Sequence, residues 1–238
     1  AFAAGQPIRV GLIAPLSGGS ADFGTSVKLG AELAVKEINE FGGYLGRPIE
    51  LVIRDDKANP DEGRKVSQDL VLKEKVDFTI GFCNTGVAMK SLDVFQDNKH
   101  LLMVPCSTGS ALTTKYPPAT STIFRVAAPD SQKVPFLVGE IVDRRKLRKV
   151  ALLADSTGYG DGGINDATKE LDKRGVKPVY VGRFPLGVAS LTDMMKEARA
   201  AGAEALLVYT VGPEHAVAVT SRAELGWKVP YFAPWPLS

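Results

Sequence analysis

Three stretches of the chain place hydroxyl groups and glycines directly after apolar runs: Ser17-Gly18-Gly19-Ser20-Ala21-Asp22-Phe23-Gly24, Phe82-Cys83-Asn84-Thr85-Gly86 and Cys106-Ser107-Thr108-Gly109-Ser110. Loops of this kind, opening a helix, offer hydroxyls and backbone N–H groups to a carboxylate, an amide or a hydroxylated ligand, and they serve equally well as helix caps. A fourth stretch, Asp155-Ser156-Thr157-Gly158-Tyr159-Gly160-Asp161-Gly162-Gly163, satisfies the G-x-G-x-x-G spacing of a dinucleotide turn. Tyr159 and Asp161 put bulk and negative charge where a pyrophosphate would lie. Tyr159 therefore reads as an aromatic wall for an apolar ligand or as plain packing at a helix start.

Catalytic patterns are missing. There is no Gly-x-Ser-x-Gly elbow, no His-Glu-x-x-His pair and no phosphate-cradling Gly-Lys-Ser or Gly-Lys-Thr. His100 and His215 have no partner at metal-ligand spacing, and Cys83 and Cys106 match neither a zinc site nor a disulfide framework. Free, half-buried thiols are expected, with a bridge between neighbouring strand ends as the alternative. Asp55-Asp56, at a strand end just before the Asn59-Pro60 helix start, reads as solvated or capping carboxylates rather than an acid–base pair. No enzyme activity, cofactor or metal is expected.

The elements that must position these loops follow from periodicity. Residues 8–14, 48–55, 76–81 and 101–105 are short apolar runs, and amphipathic helical patterns over 25–41, from 60 onward, and over 87–98 separate them. A Ser-, Thr- and Pro-rich break at 106–122 leads to an extended segment at 123–127. A second series then alternates helices 131–145, 160–174, 190–201 and 213–225 with strands 148–154, 177–184, 204–209 and 229–232. Strands alternating with helices predict parallel sheets covered on both faces and right-handed crossovers, hence an α/β fold of two Rossmann-like lobes. The lobes are placed at 1–118 and 119–238.

Composition excludes other classes. With 45% hydrophobic and 24% charged residues the chain is not disordered, and no apolar run is long enough to span a membrane. A net charge of +2 with scattered basic residues argues against nucleic acid; the one cluster, Arg144 to Lys149, sits where a helix ends and a strand begins, where cations complement the helix dipole. The small, loop-like opening, Ala1 to Pro7, is compatible with the start of a mature exported protein.

Val10-Gly11-Leu12-Ile13-Ala14-Pro15-Leu16-Ser17-Gly18, Gly30-Ala31-Glu32-Leu33-Ala34, Ile38-Asn39, Gly42-Gly43 and Asp55-Asp56 with Pro60 run in one order. Ile80-Gly81, Met103-Val104-Pro105, Phe124-Arg125, Asp130 and Tyr159-Gly160 follow. The series is similar to the leucine/isoleucine/valine-binding protein family of type I periplasmic binding proteins. The resemblance implies a non-enzymatic periplasmic receptor of an ABC transporter: two lobes joined by a hinge close over a small ligand, a branched-chain amino acid, amide or aromatic acid, and deliver it to a membrane permease. A ligand-sensing regulatory domain of the same fold is the alternative, and a Rossmann-like enzyme a distant third.

By motif position the resemblance puts Phe23 in the pocket wall, Thr85 and Thr108 at ligand-bonding hydroxyls, Cys106 at a backbone contact and Tyr159 at the second-lobe aromatic; Asn84 and Ser107 belong to the same loops. Trp235 stands where the family commonly carries an acid for the ligand's ammonium, which leaves Glu214 or Asp130 to supply that charge or favours a flat or apolar ligand. The early cysteine of the family is Ala58 here, which removes its bridge. The resemblance also implies a return segment beyond Ser238 that completes the first lobe. Without it the 238-residue chain is expected to bind ligand weakly and either to self-associate or to depend on a complementary fragment.

Overall fold

The computed structural model describes residues 5–234. Among them the chain divides into two compact units, between Ala127 and Ala128. The first contains β1 (Ile8–Ala14), α1 (Ala21–Glu40), β2 (Ile49–Asp55), α2 (Pro60–Gln68), β3 (Phe78–Gly81), α3 (Thr85–Asp97), β4 (Leu102–Val104) and β5 (Ile123–Arg125). The second contains α4 (Asp130–Val138), β6 (Val150–Asp155), α5 (Gly158–Asp172), β7 (Tyr180–Phe184), α6 (Thr192–Ala200), β8 (Ala205–Tyr209), α7 (Glu214–Glu224) and β9 (Tyr231–Phe232).

Each unit builds one wholly parallel sheet, in the orders β2-β1-β3-β4-β5 and β7-β6-β8-β9. The first boundary thus falls later than the sequence break after Pro118 suggests. The reason is β5, three residues long, which pairs with β4 through Leu102 opposite Ile123 and holds residues up to 127 with the first sheet.

Alternation along β6 and β8 decides how the second sheet is covered. Val150, Leu152 and Ala154 join Val138, Ile141 and Leu171 on one face, while Ala151, Leu153, Leu206 and Val208 join Met195, Ala198 and Ala218 on the other. The first sheet carries its buried cluster on the α2–α3 side, around Ile13, Leu70, Phe82, Leu92 and Phe95. On α1 only Gly24 is fully buried, and Leu29 and Leu33 are 59% and 57% exposed.

Helix ends show how the strands are launched. α2 and α4 each finish in a wider π turn, at Asp69–Lys73 and Gly139–Arg144, so the pattern read as one helix over 131–145 changes pitch at Gly139. Both then place a lysine in the left-handed region, Lys75 at φ 53° and Lys146 at φ 60°, before the chain enters a strand. Lys99 does the same after α3, at φ 52°, with His100 N–H closing onto Phe95 O at 2.9 Å. Left-handed backbone disfavours any side chain with a Cβ. Lys99→Gly is therefore expected to stabilise the chain by about 0.5–1 kcal/mol, read from the urea midpoint, after the greater chain entropy of glycine is set against the relieved strain.

The basic cluster is occupied at the surface. Arg144 and Arg145 pair with Glu140 at 2.9 and 2.7 Å, and Arg148 donates to the C-terminal carbonyl of Arg174 at 3.1 Å. No helix among the described residues is long and apolar enough to cross a membrane.

Candidate functional site

In an open parallel sheet the crevice lies at the carboxyl ends of the strands where the winding direction reverses. In the first unit that point lies between β1 and β3. Ser20 and Asn84, the residues preceding α1 and α3, meet there: Asn84 Nδ2 donates to Ser20 Oγ at 3.1 Å. Neither side chain caps its own helix. Asn59, by contrast, accepts from Asp61 and Glu62 N–H at 2.9 and 3.0 Å at the start of α2, and Thr157 accepts from Tyr159 N–H at 3.2 Å at the start of α5. The first turns of α1 and α3 thus point their backbone N–H groups, with the positive end of each helix dipole, at the switch point without a side-chain cap, although Ala21 N–H closes onto Gly18 O at 3.1 Å.

The loops that carry the predicted site residues of this unit follow β1, β3 and β4. Phe23 is half-buried in the first turn of α1. Thr85 opens α3, is buried, and its Oγ1 accepts from Gly109 N–H at 3.3 Å, which leaves its own O–H to donate. Thr108 is buried beside it in sequence, and Cys106 is half-buried. Ser107 is spent on the scaffold: its N–H and Oγ donate to Phe82 O at 3.2 and 3.1 Å. Arg125, which motif reading gave no role, fixes the same loop by donating to Gly109 O at 2.7 Å and Thr113 Oγ1 at 2.8 Å.

The paired aspartates divide their work. Asp55 accepts from Leu16 N–H (2.8 Å), Ser17 Oγ (2.6 Å) and Lys57 N–H (2.8 Å) and so anchors the β1 loop. Burial opposes its charge, but these bonds prevail and hold its carboxyl below the ordinary range. Of the two roles expected, solvated or capping, Asp56 takes the second. It is fully buried, accepts at Oδ1 from Ala58 N–H at 2.8 Å and has no protein partner at Oδ2. Burial, reinforced by Asp55 and only partly offset by the Ala58 bond, pushes its pKa up to about 6.

In the second unit the switch point lies between β6 and β8. Asp155 is buried there, and its Oδ1 accepts from Thr157 N–H and Oγ1 at 3.0 and 2.5 Å. Tyr159 is 4% exposed and packs on Tyr209, with ring centres 5.9 Å apart, so it performs the helix-start packing. The glycine spacing has a steric cause: a Cβ on Gly160 would sit 2.0 Å from Asp155 O, and one on Gly163 would sit 2.1 Å from the Tyr209 ring. Gly24 repeats this in the first unit, 1.9 Å from Pro15 O. Gly24 and Gly160 let a helix start pass close to the end of the preceding strand, Gly163 lets α5 lie against Tyr209, and Asp155 Oδ1 takes the Thr157 N–H.

Sequence reading gave His215 no role. It is buried, shares its Nδ1 with Tyr231 OH at 2.8 Å and is held below its ordinary pKa by burial, as is His100, which meets Thr79 Oγ1 at 2.9 Å. Glu214, a candidate for the ligand's ammonium, is buried and accepts from Gly187 N–H at 2.7 Å. Asp130 is also buried, with Lys133 at 3.7 Å. Trp235 lies outside the described residues. Among the described residues no group of three or more His, Cys, Asp or Glu side chains is arranged to hold a metal.

Residues 7–235 match the profile of the family described as periplasmic binding protein. This chain belongs to the periplasmic binding protein family. It is 34% identical over 205 residues to the Leu/Ile/Val-binding protein homolog 3 of Brucella melitensis, covering 86% of this chain and 54% of that one. It is 31% identical over 226 residues to the homolog 2 protein of Brucella abortus, covering 95% and 60%. The chain therefore spans little more than half the length of these curated relatives. Among solved structures, a Rhodopseudomonas palustris solute-binding protein of an ABC transporter, in complex with 4-hydroxybenzoate, superposes with a TM-score of 0.83 at 27% identity, covering 95% of this chain and 61% of that one. The branched-chain amino-acid binding protein LivJ of Streptococcus pneumoniae, in complex with isoleucine, shares the fold at 24% identity, with a TM-score of 0.83 and coverage of 95% and 64%. The fold is that of the type I periplasmic binding proteins.

Proposed function

We propose that this chain belongs to an extracytoplasmic solute-binding protein of an ABC transporter, which binds a small carboxylate-bearing ligand and presents it to a membrane permease. The observation that carries the reading is the pair of uncapped helix starts at the first switch point, where Ser20 and Asn84 bond each other instead of their helices. Backbone N–H groups and two helix dipoles converging on one point favour an anionic acceptor. Thr85 and Thr108 add buried hydroxyls, Cys106 a backbone contact and Phe23 an aromatic side. The second unit differs, since Thr157 caps α5 and Tyr159 packs on Tyr209. The carboxylate end accordingly belongs to the first unit.

Trp235, standing where the resemblance puts an acid for the ligand's ammonium, favours an aromatic acid over a zwitterion, because an unpaired ammonium is expensive to bury. The hydroxybenzoate-binding relatives, at 26% and 27% identity, support that choice. A thermal-shift screen of benzoates, amides and branched-chain amino acids tests it. A ligand at a hundred times its Kd adds about 2.7 kcal/mol to stability. A benzoate is expected to give the largest shift; tight, selective binding of leucine or valine overturns the ligand assignment. Thr85→Val keeps the shape and removes the hydroxyl, and should weaken binding of the best ligand by roughly 1–3 kcal/mol in calorimetry. Unchanged affinity removes Thr85 from the site.

A further inference from the structure

Cys83 and Cys106 follow two neighbouring strands. β3 and β4 run parallel with Thr79 opposite Leu102 and Ile80 opposite Met103, and Cys83 and Cys106 each stand two residues beyond the end of their strand. The chains stay joined beyond the last paired residues, because Ser107 N–H donates to Phe82 O at 3.2 Å and Gly109 N–H to Thr85 Oγ1 at 3.3 Å. These bonds flank Cys83 on the one strand and follow Cys106 on the other. Adjacent strands are about 4.8 Å apart, inside the Cα separation that a disulfide spans. Both cysteines are half-buried thiols, and that of Cys83 is hydrogen-bonded to that of Cys106.

We propose that Cys83 and Cys106 form a reversible disulfide that clamps the loops after β3 and β4 to one another. The bond would tie the residue before Asn84-Thr85 to the residue before Ser107-Thr108, and it is independent of which ligand those loops receive. The oxidant is a low-molecular-weight or protein disulfide. One cysteine thiolate attacks it, forming a mixed disulfide and expelling one thiolate. The second cysteine thiolate attacks its neighbour's sulfur, closes the Cys83–Cys106 bond and expels the other. Two cysteine sulfurs are oxidised, the external disulfide is reduced to two thiols, and the two cysteine protons end on them. The hydrogen bond between the thiols and their burial push the Cys83 thiol up, so closure should quicken as pH rises.

The chain has only these two cysteines, which makes the test direct. The reduced chain is equilibrated with mixtures of oxidised and reduced glutathione, quenched with maleimide and weighed intact. The expected product is two hydrogen atoms lighter than the reduced chain, takes up no maleimide and yields a single cross-linked peptide pair. Cys83→Ser should stall with one glutathione attached. The same titration in urea measures pairing in the unfolded chain, and the folded chain should close at least about tenfold more favourably. Glutathione adducts that persist on the wild-type chain, disulfide-linked dimers, or equal closure in folded and unfolded chains each overturn the proposal.

Discussion

Replacing Gly160 by alanine is expected to destabilise the second unit by about 3 kcal/mol or more, whereas the same change at Gly162 is expected to stabilise it by about 0.5–1 kcal/mol. Both residues lie in α5, two positions apart, so helix propensity favours alanine equally at each. The environments differ completely. A Cβ at Gly160 would overlap Asp155 O at 2.0 Å and a Cβ at Gly162 meets nothing within 4 Å. The overlapping atom is backbone at the end of a buried strand and cannot swing aside, so the helix start must move and with it the Thr157 cap and the Tyr159 contact to Tyr209. Urea or thermal unfolding of the two variants reads the effect. Similar stabilities for both would mean that the close passage of helix over strand is not required.

The second large effect is a pH dependence centred on Asp56. Its pKa in the folded chain is about 6, above the ordinary 3.8, so the folded state holds the proton more tightly than the unfolded one. The stability linked to this group is complete below about pH 4, declines as pH rises toward 6 and is gone above it. A shift of about two units corresponds to roughly 3 kcal/mol. Asp56→Asn keeps an oxygen for Ala58 N–H and cannot ionise. Between pH 4 and pH 7 the stability of this variant relative to wild type should rise by about 3 kcal/mol. A difference that stays flat across this range would show that Asp56 titrates as an exposed carboxylate.

Much of this was legible in the sequence because it is local. Residues 8–14 form β1 as periodicity suggests, Asn59-Pro60 starts α2, and the three hydroxyl-rich loops do lie at strand carboxyl ends. Errors arise where a neighbour distant in sequence decides. α1 begins at Ala21 rather than Thr25 because Gly24 lets its first turn ride over Pro15 O. The strand read from 177 begins at Tyr180, although Val179 N–H still bonds Val150 O at 2.9 Å. The burial of Asp56 was not legible, since it depends on α2 packing closely enough that a Cβ on Gly63 would approach the Asp56 side chain and the Phe82 ring. The meeting of Ser20 with Asn84 and of Cys83 with Cys106 depends on strand order and register, which spacing along one chain does not reveal.

Every pairing in the first sheet joins residues between 8 and 125, and every pairing in the second joins residues between 150 and 232. Neither sheet borrows a strand from the other stretch among the described residues. A chain leaving the ribosome can therefore assemble these five strands as soon as β5 is out, while β6 is still unmade, and parallel sheets, slow to form because their contacts are non-local, gain most from such a head start. Hydrogen exchange should accordingly report two separate opening units, with Gly160→Ala loosening the amides of β6 and β8 while those of β1 and β3 keep their protection.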